Sequence, residues 1–558
     1  MKRMRRTTSV VLATTLLFGG VQTSYAIIEG DLQAPHDTSQ QKVTELQDHV
    51  PIFVQEKQTE RFESSDVESA KSYLSQKKGD LGIQSVDDDL KVKDVEEDEL
   101  GMTHIRFIQK QNGIPIEGTE VIVHFNDQNE VVLMNGHVSD HQSVGMLNTY
   151  ATLSENEAIE NAKTSVEAPD ELSYEPESEL VIYPFDGENH LAHKVNVNFM
   201  SDDPGNWFVY IDAHNGQVID QYNAIHPIEE YEDAMEGHKG VGTGVHGEHR
   251  GDLHMSRVKP DNGGTVFMLA DHSHDGLEGI YTYDHNTGDL AENNSASFKD
   301  EYHHPAVDAH YNSEIVYEYY KEEHDRNSLD DEGMAIISYV NYGTDFNNAF
   351  WNGRHMTYGN GDGDFMVPLS AGLDVAAHEM THGVITNTAN LVYRYQPGAL
   401  NEAYADIFGA IIDDENWEIG EDIMGPGAIE DGRTALRSLS DPSKFPVNEE
   451  YIEYGDGDGM YPSHMDEYYD LPLHLDNGGV HINSSIINHA AYLTAQEIGR
   501  DALGQIYYRA LVHYLTPNSD FDEARQVIVQ SAVDLYGEDS DEALATASGF
   551  DQVGIYEE

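Results

Sequence analysis

The segment AAHEMTHG at 376–383 limits what this chain can fold into more than any other stretch. Residues 372–387, GLDVAAHEMTHGVITN, have a helical reading. On a helix, positions i and i+4 lie about 40° apart around the axis, so His378 and His382 project from one face. Two imidazoles placed that way can bind one zinc ion, leaving Glu379 beside the metal and free to act on a water. The bland alternative is a solvated helix with two unrelated histidines, which predicts nothing special downstream. Downstream, however, stands NEAYAD at 401–406, opening a second helical run, NEAYADIFGAII. Glu402 is suited to be a third ligand. Asp406, one turn further on, is suited to accept the free ring N–H of His378 and fix its tautomer. A His-His-Glu set leaves a fourth position open, as catalytic zinc requires.

The rest of the composition narrows the chemistry. Among 558 residues there is no cysteine, so disulfides, thiolate nucleophiles and Cys-ligated zinc are excluded. Any metal is held by His and carboxylate. Lys and Arg total 31 against 102 Asp and Glu, a formal net charge of −71, which argues against nucleic acid as a partner. Acidic runs such as DVEEDE at 94–99 read as solvated surface, and the acidity, spread along the whole chain, points to a saline environment. Residues 1–26 combine a basic MKRMRR, an apolar VVLATTLLFGGV and a small-residue SYA, the pattern of a secretory signal peptide. No later stretch approaches the ~20 apolar residues of a spanning helix, so the expectation is a secreted, extracellular protein with no membrane anchor.

Along the chain, residues 27–100 are polar and weakly periodic, whereas 103–138 alternate around turn signals at QNG and NDQNE, as an antiparallel meander does. A helix is expected over 154–166, where Ser154 and Glu157 are spaced as a capping box. WFVYIDAHNGQVIDQY at 207–222 reads as a hairpin. The Gly-rich, charged stretch 229–251 marks a boundary; it lacks the Gly-Lys-Ser/Thr of a phosphate cradle. Beyond it the chain is first β-rich, then mainly helical, notably over 305–324 and from 372 onward.

The second part of the chain resembles thermolysin and its relatives, the secreted neutral zinc metalloendopeptidases. The resemblance runs from about 240 to the C-terminus and rests on NNAFWNG at 347–353, AAHEMTHGV at 376–384, GALNEAYADIFG at 398–409, LRSLSDP at 436–442 and DNGGVHINSSIIN at 476–488. Residues 101–225 resemble the family's pro-region. The resemblance implies an α+β fold: a β-rich lobe (235–375) and a mainly helical lobe (376–558) with a zinc site in the cleft between them. Preceding them would be the signal peptide and a propeptide over 27–234, built as two α+β subunits at about 40–140 and 150–225, which assists folding and blocks the site until removed. Residue by residue, it implies that His378, His382 and Glu402 bind zinc, that Glu379 is the general base and that Asp406 supports His378. Tyr393 and His481 would stabilise the oxyanion, with Asp476 orienting His481. Asn348 and the Ala349 backbone would hold extended substrate, Arg437 a substrate carbonyl, and Met366, Leu369, Val375, Ile419 and Leu436 would line the pocket for the residue after the scissile bond. Protein and peptide substrates, one zinc, at least one calcium and a monomeric state complete the expectation.

Two departures bear on calcium. The loop IIDDENWEIGED at 411–422 is short, so Asp374, Asp413, Glu418 and Glu421 are expected to hold one calcium rather than two; elsewhere Asn293 and Ser295 stand where the family has aspartates. NGDGD at 360–364 and GDGDG at 455–459 lack the twelfth-position Glu of an EF-hand and read as turns. The competing readings are a zinc aminopeptidase, for which DAMEG at 233–237 lacks the required Asn, and a calcium-binding or adhesive protein on a decayed peptidase fold.

Overall fold

The computed structural model describes residues 50–557 apart from 56–60, 80, 140–146, 167, 170–171, 173–175, 186–187, 200–204, 224–234, 260–263, 352–353 and 456–458. The expected signal peptide and much of the expected boundary stretch lie outside the described residues.

Period-two alternation builds the first unit. Strands Val50–Gln55, Val131–Val138, Glu120–Phe125, Thr103–Gln111 and Leu90–Glu97 lie side by side in that order, all antiparallel. Ile105, Phe107, Val121, Val123 and Phe125 pack under the helix Val67–Gln76, which contributes Ala70, Tyr73 and Leu74. The opposite face carries His104, Arg106, Glu120, His124, Asn135 and His137, and it too is buried. Its cover is the C-terminal part of the chain. Arg106 Nη2 donates to the Val512 carbonyl at 2.6 Å and Asn135 Nδ2 to that of Tyr514 at 2.9 Å, while the His124 ring stacks on Tyr514. Asp98, expected in a solvated run, is instead fully buried between His104 Nε2 (2.9 Å) and Arg509 Nη2 (2.7 Å). Buried charge of this kind persists only when paired.

In the second unit the helix Glu155–Ser165 carries the expected capping box at Ser154 and Glu157. It packs through Ala158 and Ala162 on the antiparallel sheet Ser178–Phe185, Glu188–Phe199, Gly205–Asp212 and Val218–Asn223. The other face of that sheet stacks Tyr183 on Tyr210 and presents Asp220, whose carboxylate accepts from Arg394 at 2.7 Å.

Two five-stranded sheets and the helix His304–His324 form the β-rich lobe. Strand Ala349–Trp351 lies at the edge of its sheet, paired among the described residues only with His355–Gly359. The helical lobe comprises Tyr395–Asp413, Asp476–Ile498, Arg500–Arg509, Phe521–Tyr536 and Asp541–Gln552 among its longer helices. The helix Leu373–Thr386 is buried from Asp374 to Ile385, its apolar residues and its polar Asp374, His378, Glu379, Thr381 and His382 alike. It runs through the division expected at 375/376, so that boundary falls within a helix. The second helix also begins earlier than NEAYAD, at Tyr395. Pro397 is tolerated there because the N–H it lacks would have no partner in a first helical turn.

Candidate active site and metal centre

The helices Leu373–Thr386 and Tyr395–Asp413 pack against each other and bring three donors to one point. His378 Nε2 lies 3.1 Å from His382 Nε2 and 3.5 Å from Glu402 Oε2; His382 Nε2 lies 3.4 Å from Glu402 Oε1. Ligands about 2.0–2.1 Å from a tetrahedral zinc are roughly 3.3 Å apart, so the three fit that ion. Glu402 is wholly buried and its Oε2 has no hydrogen-bond partner, an expensive state for a carboxylate unless a cation satisfies it. The far side of each ring is fixed. His378 Nδ1 donates to Asp406 Oδ1 at 2.8 Å and His382 Nδ1 to Asn401 Oδ1 at 2.7 Å, which leaves both Nε2 lone pairs facing the centre. Asn401, itself anchored to the Leu391 carbonyl, had no assigned role in the sequence reading. Its position beside Glu402 was the available signal.

Asp406 is fully buried and takes a fork of two 2.7 Å bonds from Arg437 besides the His378 bond, with Asn488 Nδ2 at 2.8 Å. Burial raises its pKa, but the Arg437 and His378 charges outweigh that and hold it well below the carboxylate range. Burial, with the charge of Glu402, drives Glu379 the other way, to about 7, against the charge of His378; its Oε2 accepts the Trp351 N–H at 2.6 Å.

Across the cleft, Tyr393 Oη donates to Glu402 and lies 3.2 Å from His481 Nε2. Asp476 receives both His481 Nδ1–H and, at 2.9 Å, the His481 backbone N–H. That grip depends on a left-handed turn: Asp476, Asn477, Gly478 and Gly479 all have positive φ. A Cβ on Gly478 would sit 2.3 Å from the Tyr395 ring. Burial opposes protonation of His481, but Glu402 and Asp476 prevail and raise it to about 9.

Leu369, Val375, Ile419 and Leu436 form the apolar wall of the cleft beside His378 and Glu379, with Ala349 and Arg437 at its rim. Ile423 joins them, a residue the sequence reading missed because it sits in a short turn, Glu421–Ile423, without periodicity. Met366, expected in this wall, is fully buried in the same core as the wall residues and bridged to Met424, without lining the cleft surface itself. Asn348 is nearly buried, adjoining the edge strand. Of the four carboxylates expected at calcium, Glu418 also pairs with Lys444, and its charge acts on Glu421. Asp374 is buried and its pKa lies well above the usual range, through burial and then the charges of Glu421 and Asp413; Asp413 is raised to about 6. The loop at 360–364 is a turn capped by Asp362, whose Oδ1 accepts the backbone N–H groups of Asp364 and Phe365.

A buried His-His-Glu centre with a carboxylate beside it, set between a β-rich lobe and a helical lobe, places the protein among the zinc metallopeptidases. Comparison with known proteins narrows the class. Residues 239–386 match the thermolysin metallopeptidase catalytic domain and 389–555 its alpha-helical domain. Residues 88–138 match the fungalysin/thermolysin propeptide motif and 152–222 the peptidase propeptide and YPEB domain. The thermostable neutral protease NprT of Geobacillus stearothermophilus is 40% identical over 488 residues, covering 82% of this chain and 84% of that protein. Thermolysin of Alicyclobacillus acidocaldarius subsp. acidocaldarius is 41% identical with the same coverage, and bacillolysin of Bacillus cereus is 35% identical over 99% of this chain and all of its own. The chain belongs to the thermolysin family and is a zinc metalloendopeptidase that carries its own propeptide.

Proposed function

We propose that the protein is exported and cleaves internal peptide bonds of proteins on the amino side of bulky apolar residues, which thus follow the scissile bond. His378, His382 and Glu402 would hold one catalytic zinc. When bound, zinc supplies Lewis acidity towards water and the peptide carbonyl. The chain's own residues do the rest. Glu379 takes a proton from the attacking water and passes it to the departing amine. Tyr393 Oη and His481 Nε2 donate to the oxygen that gains charge, and Asp476 keeps His481 protonated for that purpose. Substrate lies extended along the edge strand at Ala349, beside Asn348, as strand addition at a sheet edge allows. Arg437 faces the substrate from the leaving side. Leu369, Val375, Ile419, Ile423 and Leu436 favour an apolar side chain, because a charge buried among them would go unpaired. The orphaned, buried Glu402 oxygen carries the reading.

Membership of the family implies calcium as well, and Asp374, Asp413 and Glu421, whose charges raise one another's pKa, are the groups a calcium ion would relieve. The propeptide acts as intramolecular inhibitor and folding aid. Its described polar contacts with the peptidase fall on Arg394 and on residues of 509–530, so it clamps the segment that carries Tyr393. The acidic composition suits a saline habitat.

A casein assay on the processed protein tests the reading. Activity should vanish with a chelator and return with zinc, and the fragments should begin with Leu, Phe, Ile or Val. Chelator-resistant activity overturns the zinc assignment, and release of N-terminal residues alone would instead mark an aminopeptidase.

A further inference from the structure

Four side chains outside the cleft converge in the β-rich lobe: His254 from strand His249–Val258, Asp271 at the end of strand Ala270–Asp271, His274 from the loop after it, and Glu314 from the helix His304–His324. One ligand atom from each lies within 4.8 Å of all the others. His274 Nε2 is 3.3 Å from Asp271 Oδ2 and 3.4 Å from Glu314 Oε1, and His254 Nδ1 meets the same Glu314 oxygen. The two His274 separations match those among His378, His382 and Glu402 in the same molecule, 3.1 to 3.5 Å, whereas His254 and Glu314 are in direct hydrogen-bond contact. We propose that His254, Asp271, His274 and Glu314 form a second, structural zinc site.

The competing account is an ion-pair network without metal. It expects His274 to aim an N–H at one carboxylate. Instead its Nε2 is buried without a hydrogen-bond partner and sits almost equidistant from two oxygens, as a ligand around a shared point does. The groups behind it are fixed as metal ligands usually are. Asp271, 2% exposed, accepts the Ser273 N–H at 2.8 Å. The His254 carbonyl is held by His310 Nε2 at 2.8 Å, and the His274 ring lies edge-on to Tyr317. Among the described residues, no Lys or Arg pairs with Asp271 or Glu314. Without a metal, the two carboxylates are offset by the imidazoles of His254 and His274 alone. Two imidazoles disfavour calcium and magnesium, and a mixed nitrogen and oxygen set of four suits tetrahedral zinc. Four protein ligands leave no open position, so the ion would tie two strands and a loop to the helix without taking part in hydrolysis.

Zinc per chain decides it, measured by atomic emission on the full chain after zinc saturation in calcium-containing buffer and gel filtration. Two equivalents are expected for the unaltered chain, one for His254→Ala/His274→Ala and one for His378→Ala/His382→Ala. Two equivalents remaining in the first variant, or only one in the unaltered chain, overturns the site. Should the first variant fail to fold, cobalt(II) titration of His378→Ala/His382→Ala answers independently. One equivalent with the visible absorption of tetrahedral cobalt is expected, and no such signal overturns the proposal. Because that variant lacks the cleft ligands, the outcome does not depend on the cleft's own metal.

Discussion

His378, His382 and His481 are each gripped through the ring nitrogen away from the cleft, so single substitutions can separate chemistry from folding. Glu379→Ala removes a carboxylate that touches only the Trp351 N–H and the cleft, and should leave zinc bound while lowering proteolysis about 10²–10⁴-fold, roughly 3–5 kcal/mol of barrier. Near-normal turnover would rule Glu379 out as the base. His481→Ala, which deletes one of two oxyanion donors, should cost about 10²–10³ in kcat/KM with zinc content unchanged. An unaltered kcat/KM would place His481 outside the reaction. At this scale the sequence is readable where helical spacing does the placing, as for His378, His382, Glu402 and Asp406. It is not readable where separate segments meet. Asp220 finds Arg394 across 174 residues, and the His254 set joins four segments that share no period.

The elements show the same division. The capping box at Ser154 and the turn-punctuated meander follow from local chemistry and stand where the sequence reading put them. Strand Leu90–Glu97 is hidden in the sequence because one acidic residue of its neighbouring run, Asp98, is buried by a cation more than four hundred positions away. The helix Phe521–Tyr536 carries a comparable case. Glu523 is 5% exposed, and burial, with the charge of Asp520, raises its carboxyl to about 8. His137 of the propeptide stands 3.5 Å away, lowered by burial to about 4 and thus neutral. A carboxyl whose folded pKa exceeds its unfolded value favours the fold below about pH 4.5, and that contribution is lost as pH rises through 8. The full span is of order 4–5 kcal/mol. Urea denaturation of the full chain carrying Glu379→Ala, from pH 5 to 9, should show Glu523→Gln gaining relative stability as pH rises. Parallel pH curves for the two chains would discard this account.

On the scale of the whole molecule, a net charge of −71 repels itself, more in the compact state than in the expanded chain. A few calcium ions neutralise only a small part of it. At about 1 M salt the Debye length falls to ~3 Å, so salt should relieve the folded enzyme selectively. Thermal inactivation half-lives at fixed calcium should therefore lengthen from dilute buffer to molar NaCl. A flat or shortening half-life would mean that the charge is borne without cost.

The polar sheet face of the propeptide also sets a clock. Arg106 meets Val512 across 406 positions, and Asp98 meets Arg509 across 411, so a segment made early in synthesis waits for one made much later. The catalytic set is complete in the chain once His481 exists, whereas the landing surface for the propeptide is complete at Gln530. At roughly 5–20 residues per second, the interval between the two is a few seconds. The emerging chain is thus exposed to its own unguarded site only for that interval, and the clamp over Tyr393 is in reach almost as soon as there is an activity to restrain.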